Sequence, residues 1–242
     1  MKLIEVNTYA ELSKLAAEMI IEKVQNSSRI TLGLATGATP IGTYEKLIEA
    51  HQQSGVSYRH VHTFNLDEYV GLASHHPESY HYFMEKHLFQ HIDIPRENIH
   101  LLDGMATDLE AECARYERLI QEAGGIDLQL LGIGVNGHIG FNEPYTPFDS
   151  KTHVTNLTKE TKEANARYFA SYEQVPSQAL TMGIATIMQA KEIILLISGK
   201  NKAEILAKLL ESEVTEALPA SILKTHPNAV LIADQEALSL VK

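Results

Sequence analysis

Two carboxylates, one imidazole and one short amide have the types and spacing to do acid/base chemistry. His138 lies in Gly132-Ile133-Gly134-Val135-Asn136-Gly137-His138-Ile139-Gly140-Phe141-Asn142-Glu143-Pro144, with Asn136 two residues before it and Glu143 five after. A histidine flanked in this way can form an oriented proton-transfer group. Four glycines in the same stretch give a backbone that bends tightly and lets a ligand approach closely. The other carboxylate, Asp67, sits in Asn65-Leu66-Asp67-Glu68-Tyr69. One member of the Asp67–Glu68 pair can face a crevice while its neighbour points away, and partial desolvation would then make it a stronger base. Helix or turn capping is the alternative use of either.

A second set suits an anion. Thr36-Gly37-Ala38-Thr39-Pro40 runs straight into an apolar-periodic stretch, so Thr39 is expected as the helix N-cap with Pro40 at the first helical position. Free amides there, with the Thr36 and Thr39 hydroxyls, make a phosphate cradle, although the same turn serves plain capping equally well. The spacings of the nucleotide P-loop and of the dinucleotide fingerprint are both absent at this position. Lys202, in Gly199-Lys200-Asn201-Lys202, and Arg167 could add full positive charge, or could be solvated surface residues. His87 and His91 stand i, i+4, but no Glu follows His87 and no third ligand is identifiable, so no metal site is expected.

These residues need strands and helices to bring them together. Apolar runs bounded by turn signals at 30–35, 61–66, 128–133, 193–198 and 229–233 read as strands. Helical periodicity covers 9–24, 41–51, 79–91, 109–122, 159–169 and 202–210. Strand and helix alternate, and the strands are continuously apolar, which predicts a single-domain α/β fold over 1–242: a doubly wound, mostly parallel sheet with helices on both faces. Ligands of such sheets bind beyond the carboxyl ends of the strands, which is where each candidate loop falls. The segment 145–158, polar and containing Pro147, suits a mobile lid.

Composition narrows the partners. Twenty basic against 31 acidic residues give a net charge of −11, which argues against nucleic acid or an anionic membrane surface as a partner. The single cysteine, Cys113, precludes an internal disulfide framework and fits the cytoplasm. Neither a signal-peptide pattern nor an apolar stretch of about 18 residues is present. Oligomeric state is not legible in the sequence.

With these segments in order, the chain resembles the glucosamine-6-phosphate deaminase family nearly end to end. The likeness rests on Leu34 to Pro40, Asn65 to Tyr69, Gly132 to Pro144 and Ser198 to Ala203. It implies conversion of glucosamine 6-phosphate and water to fructose 6-phosphate and ammonium in amino-sugar catabolism, without a cofactor. It also implies that Asp67 moves a proton between C2 and C1 of the opened sugar, and that His138 opens the ring with Glu143 and Asn136 as its relay. Thr36, Gly37, Ala38, Thr39, Gly132, Arg167 and Lys202 are then expected around the substrate and its phosphate. The rivals are a 6-phosphogluconolactonase, which shares the fold, and a non-catalytic sugar-phosphate sensor.

Two departures from the family pattern matter. Some members carry Asp where this chain has Asn136; an amide orients an imidazole but adds no full charge, which leaves more of the load to Glu143. Long members activated by N-acetylglucosamine 6-phosphate carry Arg and Lys where His153 and Thr155 align here, and extend further at the C-terminus. The resemblance is therefore to the short form, and hyperbolic kinetics without that activation are expected.

Overall fold

The computed structural model describes residues 1–241; Lys242, the last residue of the expected domain, lies outside them. In chain order the elements are β1 (Lys2–Val6), α1 (Tyr9–Gln25), β2 (Ile30–Leu34), α2 (Ile41–Ser54), β3 (Val61–Asn65), β4 (Asp67–Tyr69), α3 (Tyr80–His87), β5 (Ile99–His100), α4 (Leu109–Glu122), β6 (Leu128–Leu131), β7 (His153–Asn156), α5 (Lys159–Asn165), β8 (Gln178–Thr181), α6 (Ile184–Met188), β9 (Glu192–Ile197), α7 (Ala203–Glu211) and β10 (Ala229–Asp234).

Seven strands form one sheet in the order β1-β10-β9-β6-β2-β3-β5, and every pairing in it is parallel. The expected doubly wound sheet is therefore present. Its two faces carry separate apolar cores. Residues of α1, α2 and α3 cover one face through Leu12, Ile20, Tyr44, Leu47 and Met84. Those of α4, α6 and α7 cover the other through Tyr116, Ile120, Ile187, Leu206 and Leu209. Burial from both sides is why the central strands read as unbroken apolar runs: all five residues of β2 are buried.

Strand order reverses between β2 and β6. From β2 the chain winds outward through β3 and β5, and from β6 it winds the other way through β9 and β10. A crevice opens at such a switch point beyond the carboxyl ends of the strands. The loop after β2 holds Thr36 to Thr39 and the loop after β6 holds Gly132 to His138, so both candidate motifs border it.

The chain also builds a small antiparallel sheet, β4-β8-β7, which the sequence reading did not anticipate. Leaving β3, the backbone passes through Leu66 directly into β4, where Asp67 pairs with Thr181. The three-residue β4 and four-residue β7 and β8 are too short to give a readable alternation. Residues 153–156, expected as part of a loop, are strand β7. The Arg167 helix is also shorter than the periodicity implies: α5 stops at Asn165 and a 3-10 turn carries 166–168. His91 is not on the α3 face shared by His87; α3 ends at His87 and His91 closes a separate 3-10 turn.

Candidate active site

A cavity of about 680 Å³ fills the crevice. Thr36, Gly37, Ala38, Thr39, Asp67, Gly132, His138, Arg167 and Lys202 all line it. Asn136 and Glu143 do not; they stand behind His138. The four sequence motifs thus converge on one space, joined by Arg167 from the turn after α5.

Asp67 and Glu68 divide as the alternation of a strand requires. Glu68 points away from the cavity, fully buried, and its carboxylate accepts the backbone N–H groups of Tyr69 (2.8 Å), Tyr80 (3.0 Å) and His81 (3.0 Å). Two of those amides open α3, so Glu68 caps that helix together with Ser79, whose hydroxyl accepts from Tyr82 N. Burial pushes the Glu68 carboxyl up to about 7 against the pull of these donors. Asp67 faces the cavity at 7 % exposure, and no protein hydrogen bond reaches its carboxylate among the described residues. Burial first, and the neighbouring Glu68 charge second, push its pKa from 3.8 up to about 8.

The histidine loop presents an ordered chain of three side chains. His138 Nδ1 donates to Asn136 Oδ1 at 2.8 Å, and Asn136 Nδ2 donates to Glu143 Oε2 at 2.7 Å. Glu143 itself is 3.5 Å from Nδ1, so the amide is the nearer partner and the carboxylate stands behind it. With Nδ1 carrying the proton, Nε2 is the atom left for a ligand. Gly134 makes room for the ring: a Cβ there would lie 2.2 Å from Nε2. Gly140 brings the loop against β4, since its Cβ position is 3.6 Å from Asp67 Oδ2. Burial disfavours the Glu143 charge, but the facing His138 imidazole and donors from Thr161 and Asn136 overcome this and hold its carboxyl at about 2.

Two further residues belong to this relay and were missed from the sequence. Thr158 N donates to Glu143 Oε1 at 3.2 Å, and Thr161 Oγ1 sits 3.4 Å from His138 Nδ1. Thr158 is also the N-cap of α5, its hydroxyl accepting from Thr161 N. The signal in the sequence was the Thr158-x-x-Thr161 start of a helix, legible as capping but not as a contact with a loop some fifteen residues earlier.

At the other end of the cavity the loop after β2 meets the positive charges. Thr39 does not cap α2, contrary to expectation. Pro40 occupies the N-cap position with helical dihedrals, and no side chain of that segment caps the helix. Tyr9, from α1, does the work instead: its hydroxyl accepts from Gly42 N at 2.8 Å and lies near the Ala38 and Thr39 carbonyls at 3.2 and 3.1 Å. The Thr36 and Thr39 side chains are left to the cavity. Lys202 is not a loose surface residue. Its Nζ donates to the Ile133 carbonyl at 2.7 Å, and burial, with the Arg167 charge next, lowers its pKa from 10.5 to about 8. Arg167 is exposed, hydrogen-bonded to Tyr168 Oη at 2.8 Å with its guanidinium over that ring. Tyr69, Tyr80, Phe141 and Phe169 form an aromatic wall between the two ends.

A desolvated carboxylate, an imidazole with one free nitrogen and an anion cradle suit proton transfers on a small phosphorylated molecule. Comparison with known proteins agrees. A family model described as glucosamine-6-phosphate isomerases/6-phosphogluconolactonase matches residues 5–232. The glucosamine-6-phosphate deaminase of Shouchella clausii (strain KSM-K16) is 61% identical over 240 residues, which covers 99% of this chain and 97% of that one. Glucosamine-6-phosphate deaminase 1 of Bacillus subtilis (strain 168) is 52% identical, with 99% of each chain covered. A solved monomeric glucosamine-6-phosphate deaminase superposes with a TM-score of 0.98 at 52% identity, over 99% of this chain and 100% of that one. The 6-phosphogluconolactonase of Thermotoga maritima, at 23% identity and a TM-score of 0.77, shares the fold alone. On sequence and structure together, the chain belongs to the glucosamine-6-phosphate deaminase family.

Proposed function

We propose that this protein converts glucosamine 6-phosphate and water to fructose 6-phosphate and ammonium. The observation that carries the reading is the shared cavity: an unpaired, desolvated Asp67 and the His138 relay face the same space as a phosphate cradle with two cations. The close relatives named as glucosamine-6-phosphate deaminases support it.

The phosphate is held by the Thr36 to Thr39 loop, Lys202 and Arg167, with Gly132 in the adjacent wall. His138 then takes the proton of the sugar's C1 hydroxyl through Nε2 and returns one to the ring oxygen, opening the ring. Asn136 keeps the imidazole turned for this, and Glu143 supplies the negative charge that stabilises imidazolium while it exists. Asp67, ionised at the moment of reaction, removes the C2 proton of the open aldose and delivers it to C1. The enolamine between these transfers becomes an imine at C2, and water hydrolyses it, so that C2 gains oxygen and nitrogen leaves as ammonia. Only protons move between carbons, and these residue types suffice for each transfer. The lone thiol, Cys113, is compatible with a cytoplasmic setting.

The test is product stoichiometry. Purified protein with glucosamine 6-phosphate yields ammonium and fructose 6-phosphate in equal amounts. Binding without turnover overturns the reading in favour of a sensor, and hydrolysis of 6-phosphogluconolactone alone overturns it in favour of a lactonase.

A further inference from the structure

Asp234, at the end of β10, is 3 % exposed and sits outside the cavity, yet its carboxylate holds the start of the loop that carries the cavity's cationic end. It accepts from the Ser198 hydroxyl, and from Gly199 N at 3.1 Å to Oδ1 and 3.2 Å to Oδ2. Oδ1 also accepts from Ala237 N at 2.9 Å, which closes the C-terminal 3-10 turn over 237–240.

Ser198 and Gly199 begin the loop that ends three residues later in Lys202. Gly199 is held at φ 90 with extended ψ, and the chain then turns through 200–202 into α7 with no side chain capping that turn. Ser198, Asn201 and Lys202 line the cavity. Lys202 reaches across to the Ile133 carbonyl at the end of β6. Three adjacent strand ends are thereby tied in series: β10 through Asp234, β9 through Ser198 and Gly199, and β6 through Lys202. The Lys202 ammonium is held at its tip by the Ile133 carbonyl, and its backbone is placed by the turn that Gly199 opens.

We infer that Asp234 is a positioning residue for the phosphate end of the site, fixing the 198–202 loop so that the Lys202 ammonium is already in place when the sugar phosphate arrives. The inference rests on the reading of that end as a phosphate site. A positioned charge costs no ordering on binding, so its loss weakens the bound phosphate without touching Asp67 or His138. Asp234 does not contact substrate; it acts through Lys202.

Two variants separate this from simple stability. Asp234→Ser retains an oxygen able to cap Ala237 N, as Ser does at helix starts, but is too short to hold Ser198 and Gly199. Asp234→Asn keeps an acceptor for Gly199 and Ala237 and loses the charge. In a steady-state deamination assay Asp234→Ser is expected to raise KM about tenfold, the factor of one lost hydrogen bond of ordinary strength, with kcat within about twofold of the unaltered protein. Asp234→Asn is expected to raise KM less. The inhibition constant of inorganic phosphate should rise by the same factor in each, and the gain in melting temperature given by inorganic phosphate should shrink in step, a readout that needs no turnover. A fall in melting temperature with unchanged KM and unchanged phosphate inhibition overturns the inference, because a merely structural residue moves stability and not affinity. If the unaltered protein does not deaminate glucosamine 6-phosphate, the functional reading fails; phosphate protection that is equal in all three proteins fails the Asp234 inference by itself.

Discussion

Replacing Asp67 by Asn should destroy catalysis and, at alkaline pH, make the protein more stable. The carboxyl is pushed from 3.8 up to about 8 by burial and by Glu68, so the folded state resists its ionisation while the unfolded chain does not. The sign follows from linkage: between the two values the unfolded state holds fewer protons, and stability drains away as pH rises from about 4 to about 8. From pH 5 to pH 8 this amounts to roughly 4 kcal/mol, at about 1.4 kcal/mol per pH unit over three units. Asparagine does not titrate, so its variant escapes that loss. Its own buried amide costs about 1–3 kcal/mol, but equally at both pH values. The change in melting temperature caused by Asp67→Asn should therefore become more favourable by roughly 8–16 °C between pH 5 and pH 8 for a domain of this size. Thermal unfolding of both proteins by circular dichroism at the two pH values measures it. A difference that stays constant with pH refutes the claim that Asp67 is held as a reluctant carboxylate, and with it the physical basis for choosing it as base.

Four further outcomes are expected. Glu143→Gln should reduce the rate by about 10²-fold or more and Asn136→Ala by less, because loss of the amide leaves the imidazole 3.5 Å from a carboxylate it can still pair with, whereas loss of the charge leaves nothing to stabilise imidazolium; equal small effects in steady-state assays would contradict this. The pH profile of kcat/KM should be a bell centred near 8, its acid limb set by ionisation of Asp67 and its alkaline limb by loss of the Lys202 proton, and a flat profile from pH 6 to 9 would oppose both assignments. Gly134→Ala should cut activity by about tenfold or more with little loss of phosphate affinity, since the added methyl meets the His138 ring at 2.2 Å and must turn Nε2 away. Substrate saturation should be hyperbolic and unaffected by N-acetylglucosamine 6-phosphate, as the resemblance to the short form of the family implies from His153 and Thr155, which lie on β7; sigmoidal curves relieved by that ligand would overturn this.

The sequence was most legible where one physical rule dominated. Strands buried on both faces gave continuous apolar runs, so β2, β6 and β9 and their following loops could be found by inspection, whereas the strand order that puts the switch point between β2 and β6 is seen only in the fold. That Asp67 and Glu68 point to opposite sides was to be expected of adjacent residues, but which of the two faces the cavity is seen only in the fold. The misses at the site come mainly from contact between residues far apart in the chain. Tyr9 caps α2 from 33 residues away, and nothing near Thr39 reveals that the local cap is redundant. Thr158 and Thr161 join the histidine relay only because β7 and β8 fold α5 back over the loop after β6. The order of that relay, amide between imidazole and carboxylate, was likewise invisible in spacing alone.

The central claim is that Asp67 moves the proton between C2 and C1. Its most direct test is to give glucosamine 6-phosphate to the unaltered protein and to Asp67→Asn, and to measure fructose 6-phosphate formation and sugar-phosphate binding in both. The account predicts that the variant binds with affinity within a few-fold of the original while turnover falls by about 10²–10⁴-fold, the worth of a positioned proton-transfer group. Turnover retained by Asp67→Asn would contradict it.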